Sequence, residues 1–118
     1  MTRRDLQSEA KQHGRPWDMA KGFDNSAPCA SITKKEDIEN IESARIELKV
    51  NDQIKQQSSI DHLIWSVPET ISFLSKLVEL KPGDLIYSGT PDGVGTVTAG
   101  DYLCGTITGL SDLEINYK

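Results

Sequence analysis

Two short stretches carry the residue types from which a binding site is made. The first is Leu85-Ile86-Tyr87-Ser88-Gly89-Thr90-Pro91-Asp92-Gly93-Val94-Gly95, an apolar run that breaks into a glycine-rich loop with a hydroxyl at its lip. Bare backbone beside Gly89, together with the Thr90 hydroxyl, suits a small anionic group such as a carboxylate. The second is Lys21-Gly22-Phe23-Asp24, a cation set before glycine and an aromatic ring. Trp17, Phe23, Gly22, Ser26 and Ala27 surround Lys21 in sequence and leave little room for a freely solvated stem, so the ammonium would stabilise a carboxylate or a developing enolate. Gln7, in Arg4-Asp5-Leu6-Gln7, has two readings: a hydrogen bond to a substrate oxygen, or an ordinary N-terminal turn with an internal ion pair.

Other chemistries find less support. The glycine loop lacks the Gly-Lys-Ser/Thr ending of a phosphate loop, and Thr98 stands where a dinucleotide loop needs its third glycine. Its plain reading is a tight connection between strands. His13 and His62 are isolated, with no paired histidines and no serine nucleophile elbow, which argues against a zinc site or a Ser-His-Asp triad. Aspartate and glutamate total 18, yet no tight inward-facing group suggests a hard-cation site.

The composition narrows the partners. With 118 residues and 13.0 kDa, the chain is one domain with a modest core. A net charge of −5 argues against nucleic acid, which needs clustered Lys and Arg. No window approaches the roughly 20 apolar residues of a bilayer span, and Met1-Thr2-Arg3-Arg4-Asp5 lacks the apolar segment of a secretory signal. Cys29 and Cys104 are read as reduced thiols, placing the protein in the cytoplasm with a small molecule as its partner.

The elements that must position these residues follow from pattern. Gly14-Arg15-Pro16-Trp17 breaks a polar opening segment, and Thr33-Lys34-Lys35-Glu36 fits a capping box for a short helical turn. From Ala44 the period becomes two, with Ile46, Leu48 and Val50 on one face and Arg45, Glu47 and Lys49 on a solvated one. Asn51-Asp52 then turns the chain into a return strand around Ile54. Ser66-Val67-Pro68-Glu69 is a second capping box, and Val67, Ile71, Leu74 and Val78 keep helical spacing to about Leu80, where Lys81-Pro82-Gly83-Asp84 ends it. Apolar runs at Leu85–Tyr87, Tyr102–Ile107 and Leu113–Tyr117 read as strands, so one main helix among short strands predicts a β-rich α+β fold.

Several blocks in fixed order then become recognisable: Thr2-Arg3-Arg4-Asp5-Leu6-Gln7, Gly14-Arg15-Pro16-Trp17-Asp18, Lys21-Gly22-Phe23-Asp24, Leu48-Lys49-Val50-Asn51, Pro82-Gly83-Asp84-Leu85-Ile86 and Gly89-Thr90-Pro91-Asp92-Gly93-Val94-Gly95. The series resembles the C-terminal half of the fumarylacetoacetate hydrolase family over essentially the whole chain, nearest its bacterial acylpyruvate hydrolases. The resemblance implies a mixed β-roll, here incomplete, residues 1–118 forming the C-terminal part of a dimeric catalytic domain. It implies Mg²⁺ or Mn²⁺ held by three carboxylates, a keto-acid substrate, and cleavage of a carbon–carbon bond with release of an enolate. Carried over residue by residue, it gives Lys21 the catalytic role and Gln7, Gly89 and Thr90 substrate binding, with Asp24 and Asn25 near the outer shell of the metal. The family's metal-binding carboxylates and its His–Glu lid pair match no position here, and are expected upstream of Met1. The rival expectations are a non-catalytic remnant or dimerising module, and an oxaloacetate decarboxylase or keto-acid isomerase of the same family.

Overall fold

The computed structural model describes residues 1–118, which divide into two compact units, Met1–Ala30 and Ser31–Lys118. The first unit is helical. Helix α1 spans Arg4–Gln12, with Asp5 in its first turn and Lys11 in its last, each matching the sign of the helix dipole. Gly14, at φ 61°, lets the chain leave α1, and Arg15 N–H donates to the Ala10 carbonyl at 2.8 Å. The four-residue helix α2, Asp18–Lys21, follows, and its Ala20 is buried with its carbonyl accepting from Arg3 N–H at 3.0 Å. The polar opening segment is therefore a helix joining the single one expected. Its few apolar residues gave no periodic stripe from which to read it.

The second unit is built on a four-stranded sheet of order β2-β1-β3-β4, with β1 Arg45–Val50, β2 Gln53–Ser59, β3 Tyr102–Ile107 and β4 Leu113–Asn116. All three pairings are antiparallel. The predicted hairpin is present. Asn51 and Asp52 both take left-handed backbone, at φ 49° and 64°, the conformation a two-residue turn with the twist of its strands requires. Asn51 also ties the hairpin to β3: its side-chain amide donates to Asp101 at 2.7 Å and accepts from Tyr102 N–H at 2.9 Å. Val50, opposite Leu103, and Ala44 are buried around this centre.

Helix α3, Val67–Leu74, starts where expected. The Ser66 hydroxyl accepts from Glu69 N–H at 3.4 Å, and the Glu69 carboxylate accepts from Ser66 N–H at 2.8 Å. It ends at Leu74 rather than near Leu80. From Ser75 the ladder loosens into shorter-range bonds such as Leu77 N–H to the Leu74 carbonyl, and the Ser75 hydroxyl donates to the Ser72 carbonyl.

Two other expectations change. Leu85–Tyr87 is irregular backbone with all three side chains exposed, an apolar run too short to hold a strand without a neighbouring ladder. The turn near Thr33 is a 3₁₀ segment at Lys35–Asp37 and has no side-chain cap. The charged face of β1 is paired rather than merely solvated: Glu47 lies between Arg45 at 2.7 Å and Lys49 at 3.4 Å, its side chain only 12% exposed. The Arg45 hydrogen bond, working against partial desolvation, holds the Glu47 carboxyl below the ordinary range. No helix is long and apolar enough to cross a membrane.

Candidate functional site

In the first unit, Lys21 closes α2 and its ammonium donates to the Thr2 hydroxyl at 2.8 Å. The side chain is exposed, so the crowding expected from Trp17 and Phe23 does not bury it. The neighbouring aromatic instead carries another cation, with the Arg3 guanidinium 4.3 Å above the Phe23 ring. The amino group of Met1 stands in the same region. Burial, and then the charge of Lys21, lower its pKa from the ordinary value. Gln7, half-buried on α1, accepts from the Arg4 guanidinium at 3.1 Å through its amide oxygen. That bond stands where an Arg4–Asp5 ion pair was the alternative, and it makes the Gln7 amide oxygen an acceptor within α1. Asp24 is exposed, and Asn25 adopts φ 60° in the turn closed by Ser26 N–H to the Phe23 carbonyl.

In the second unit, the glycine loop rests on the edge strand β2. Gly89 takes φ 101° and Gly93 φ 88°, both in the region that only glycine enters at little cost. Gly93 also needs its missing side chain: a Cβ there would lie 2.1 Å from the Lys55 carbonyl oxygen. Lys55 is the extra residue of a β-bulge, since Leu48 pairs with Gln56 while Lys49 pairs with Ile54. Next to it, Gln56 is 9% exposed and its amide nitrogen meets the Thr90 hydroxyl oxygen at 2.8 Å, the Pro91 carbonyl at 2.7 Å and the Asp92 carbonyl at 3.2 Å. The loop thus presents Gly89 and Thr90 outward on a seat made by one buried side chain.

Sequence reasoning missed Gln56. The sequence held little signal for it: Ser58 stands across from Ile46, Gln56 across from Leu48 and Gln53 across from Val50, so polar residues fill that face of β2 and none of them stands out.

Cys29 and Cys104 are both free thiols. His62 is engaged with the Ser58 hydroxyl at 3.2 Å, and His13 with the Glu9 carbonyl at 2.9 Å. A concavity of about 520 Å³, open to solvent, lies along α3 between Ile64, Trp65, Phe73 and Lys76, and none of the sequence-predicted site residues lines it. No group of three His, Cys, Asp or Glu side chains stands close enough together to hold a metal ion. A three-carboxylate centre therefore does not fit the residues of this chain; Asp24 alone contributes a carboxylate beside Asn25.

Comparison with known proteins identifies the class to which this fold and loop belong. Residues 1–116 match the family model of the fumarylacetoacetate hydrolase C-terminal domain, and the chain belongs to that family. The fumarylpyruvate hydrolase of a Ralstonia species is 46% identical over 115 residues, covering 98% of this chain and 59% of the relative. The mitochondrial oxaloacetate tautomerase FAHD1 of Rattus norvegicus is 42% identical over 118 residues, covering 100% and 53%. Among solved structures, the fumarylpyruvate hydrolase of Pseudomonas aeruginosa in complex with Mn²⁺ and pyruvate superposes with a TM-score of 0.95 at 46% identity, covering 99% of this chain and 50% of that one. The β-rich α+β expectation, with the fold type of this family, holds. The chain spans only about half the length of the relatives it matches.

Proposed function

We propose that this chain is the keto-acid-holding part of a larger catalytic domain that hydrolyses a carbon–carbon bond in an acylpyruvate of the fumarylpyruvate kind. The observation that carries the reading is its similarity, along nearly its whole length, to fumarylpyruvate hydrolases, one of them solved with Mn²⁺ and pyruvate. Cleaving such a bond leaves electrons on carbon, and the barrier is tolerable only when they delocalise into an enolate facing positive charge. The exposed ammonium of Lys21 suits that charge, the Gln7 amide a substrate oxygen, and the Gly89 N–H with the Thr90 hydroxyl a carboxylate. These assignments follow the family resemblance.

A divalent ion, Mg²⁺ or Mn²⁺, would add Lewis-acid charge when bound. Its three carboxylates are not furnished by these residues, so the contribution of the chain lies with the substrate. The working form is a homodimer, and a reducing cytoplasm suits the free thiols of Cys29 and Cys104. A second reading, isomerisation of a keto acid, is favoured by the likeness to oxaloacetate tautomerases and needs the same enolate without bond cleavage.

The test joins residues 1–118 to the part of the Ralstonia relative that they do not match. The chimera is expected to consume fumarylpyruvate in a Mn²⁺-dependent way, followed by loss of the diketone absorbance, while the 118-residue chain alone is inactive. A folded chimera that only tautomerises oxaloacetate would establish the second reading, and one that does neither would overturn both.

A further inference from the structure

The seat of the glycine loop is a concentration of irregular features at one place. The bulge at Lys55 breaks the register of an edge strand, Gly93 comes against the Lys55 carbonyl where no side chain fits, and Gln56 is buried although it is polar. Bulges of this kind re-aim a side chain. Here the side chain aimed at the loop is an amide whose orientation its partners determine. The Pro91 and Asp92 oxygens are carbonyls, which only accept, so the Gln56 NH₂ must face them. An amide turned the other way would set three oxygens against Oε1 with only the Thr90 proton to share.

The consequence falls on Thr90. Its Oγ1 sits 2.8 Å from the same NH₂ and is therefore the acceptor of that bond. The hydroxyl proton of Thr90 is then directed away from Gln56, on an exposed residue. A threonine free to donate back into the protein would be a poor ligand for an anion; one already accepting from a buried amide is held as a donor.

We infer that Gln56 is a positioning residue, which fixes the Thr90 hydroxyl as a donor toward the carboxylate of the keto acid and ties residues 90–92 to β2. The inference rests on the reading of Thr90 as a carboxylate-binding residue.

The experiment is an NMR titration of the ¹⁵N-labelled, metal-free chimera described above with oxalate, followed at the amides of residues 89–95, a method that reaches millimolar affinities. Thr90→Val is expected to weaken binding about ten-fold or more, the effect of losing one hydrogen bond to a charged group. Gln56→Glu, whose carboxylate accepts but does not donate, should weaken it comparably at pH 7.5, and the double variant should bind no worse than Thr90→Val alone. As pH falls toward 5, Gln56→Glu should recover affinity, because a carboxyl pressed against three acceptors takes up a proton and donates again. Gln56→Met, similar in length without a donor, should lose affinity without that recovery, and keeps the test sharp if the Glu variant folds poorly. A merely structural Gln56 would give additive losses and no pH-dependent rescue, which would overturn the inference. Wild-type binding with both Gln56 variants unaffected would overturn it too. If the unsubstituted chimera shows no oxalate response at these amides, the keto-acid reading of Thr90 falls, and the inference with it.

Discussion

Gly93 shows how one residue can set where a whole loop rests. Its φ of 88° is strained for any side chain, and its Cβ position is occupied by the Lys55 carbonyl. Gly93→Ala is expected to lift the loop from β2 and cost about 1–3 kcal/mol, read as a lower midpoint in urea and faster amide exchange at residues 89–95. Lys21, Gly89 and Thr90 could be singled out from sequence because a lone cation or a hydroxyl in a glycine loop has a chemistry of its own. Gln56 could not. A glutamine acquires its role only from the acceptors that the fold brings to it, and those acceptors lie 34 to 36 residues away. The exposure of Lys21 was equally hidden, because nearness in sequence to Trp17 and Phe23 says nothing of where their rings point.

At the scale of elements, the hairpin was legible because a period of two and an Asn-Asp turn agree on one register. The start of α3 was legible because a capping box is a local signal. Its end was not, since apolar spacing continues to Val78 while the helix ends at Leu74 in a turn of mixed hydrogen bonds. Ser66→Ala removes the cap and is expected to destabilise the fold by about 1 kcal/mol, measured by chemical denaturation. Acid should act on the same kind of feature. Asp101 is held below the ordinary carboxylate value first by Thr98 N–H and then by the Asn51 amide, and Glu69 by the Ser66 hydroxyl and N–H. A depressed folded pKa stabilises the fold above the unfolded value and ceases to do so as pH falls through the depressed one. Tm is therefore expected to hold from pH 7 to about 5 and to drop below about 4, with Asp101→Asn flattening part of the drop.

For the whole molecule, the decisive quantity is surface. Ile64 is 96% exposed, and Trp65, Phe73, Leu77 and Tyr87 are each about half or more exposed. Large apolar side chains standing in water at this density call for cover by further protein. The isolated chain is therefore expected to bind a hydrophobic dye and to self-associate at micromolar concentration, both seen by fluorescence and light scattering; a dye-silent monomer would contradict this. The family was legible because its blocks keep their order along the sequence, whereas the exposure of these apolar side chains appears only once the fold is in three dimensions.

The measurement to make is the rate at which the chimera with the complementary part of the Ralstonia relative cleaves fumarylpyruvate in the presence of Mn²⁺. The predicted result is cleavage whose kcat falls by about 10²–10³ in Lys21→Met while Tm is unchanged, because Lys21 is exposed and its loss removes charge rather than packing. A folded, Mn²⁺-binding chimera that leaves fumarylpyruvate intact, or one indifferent to the loss of Lys21, would contradict it.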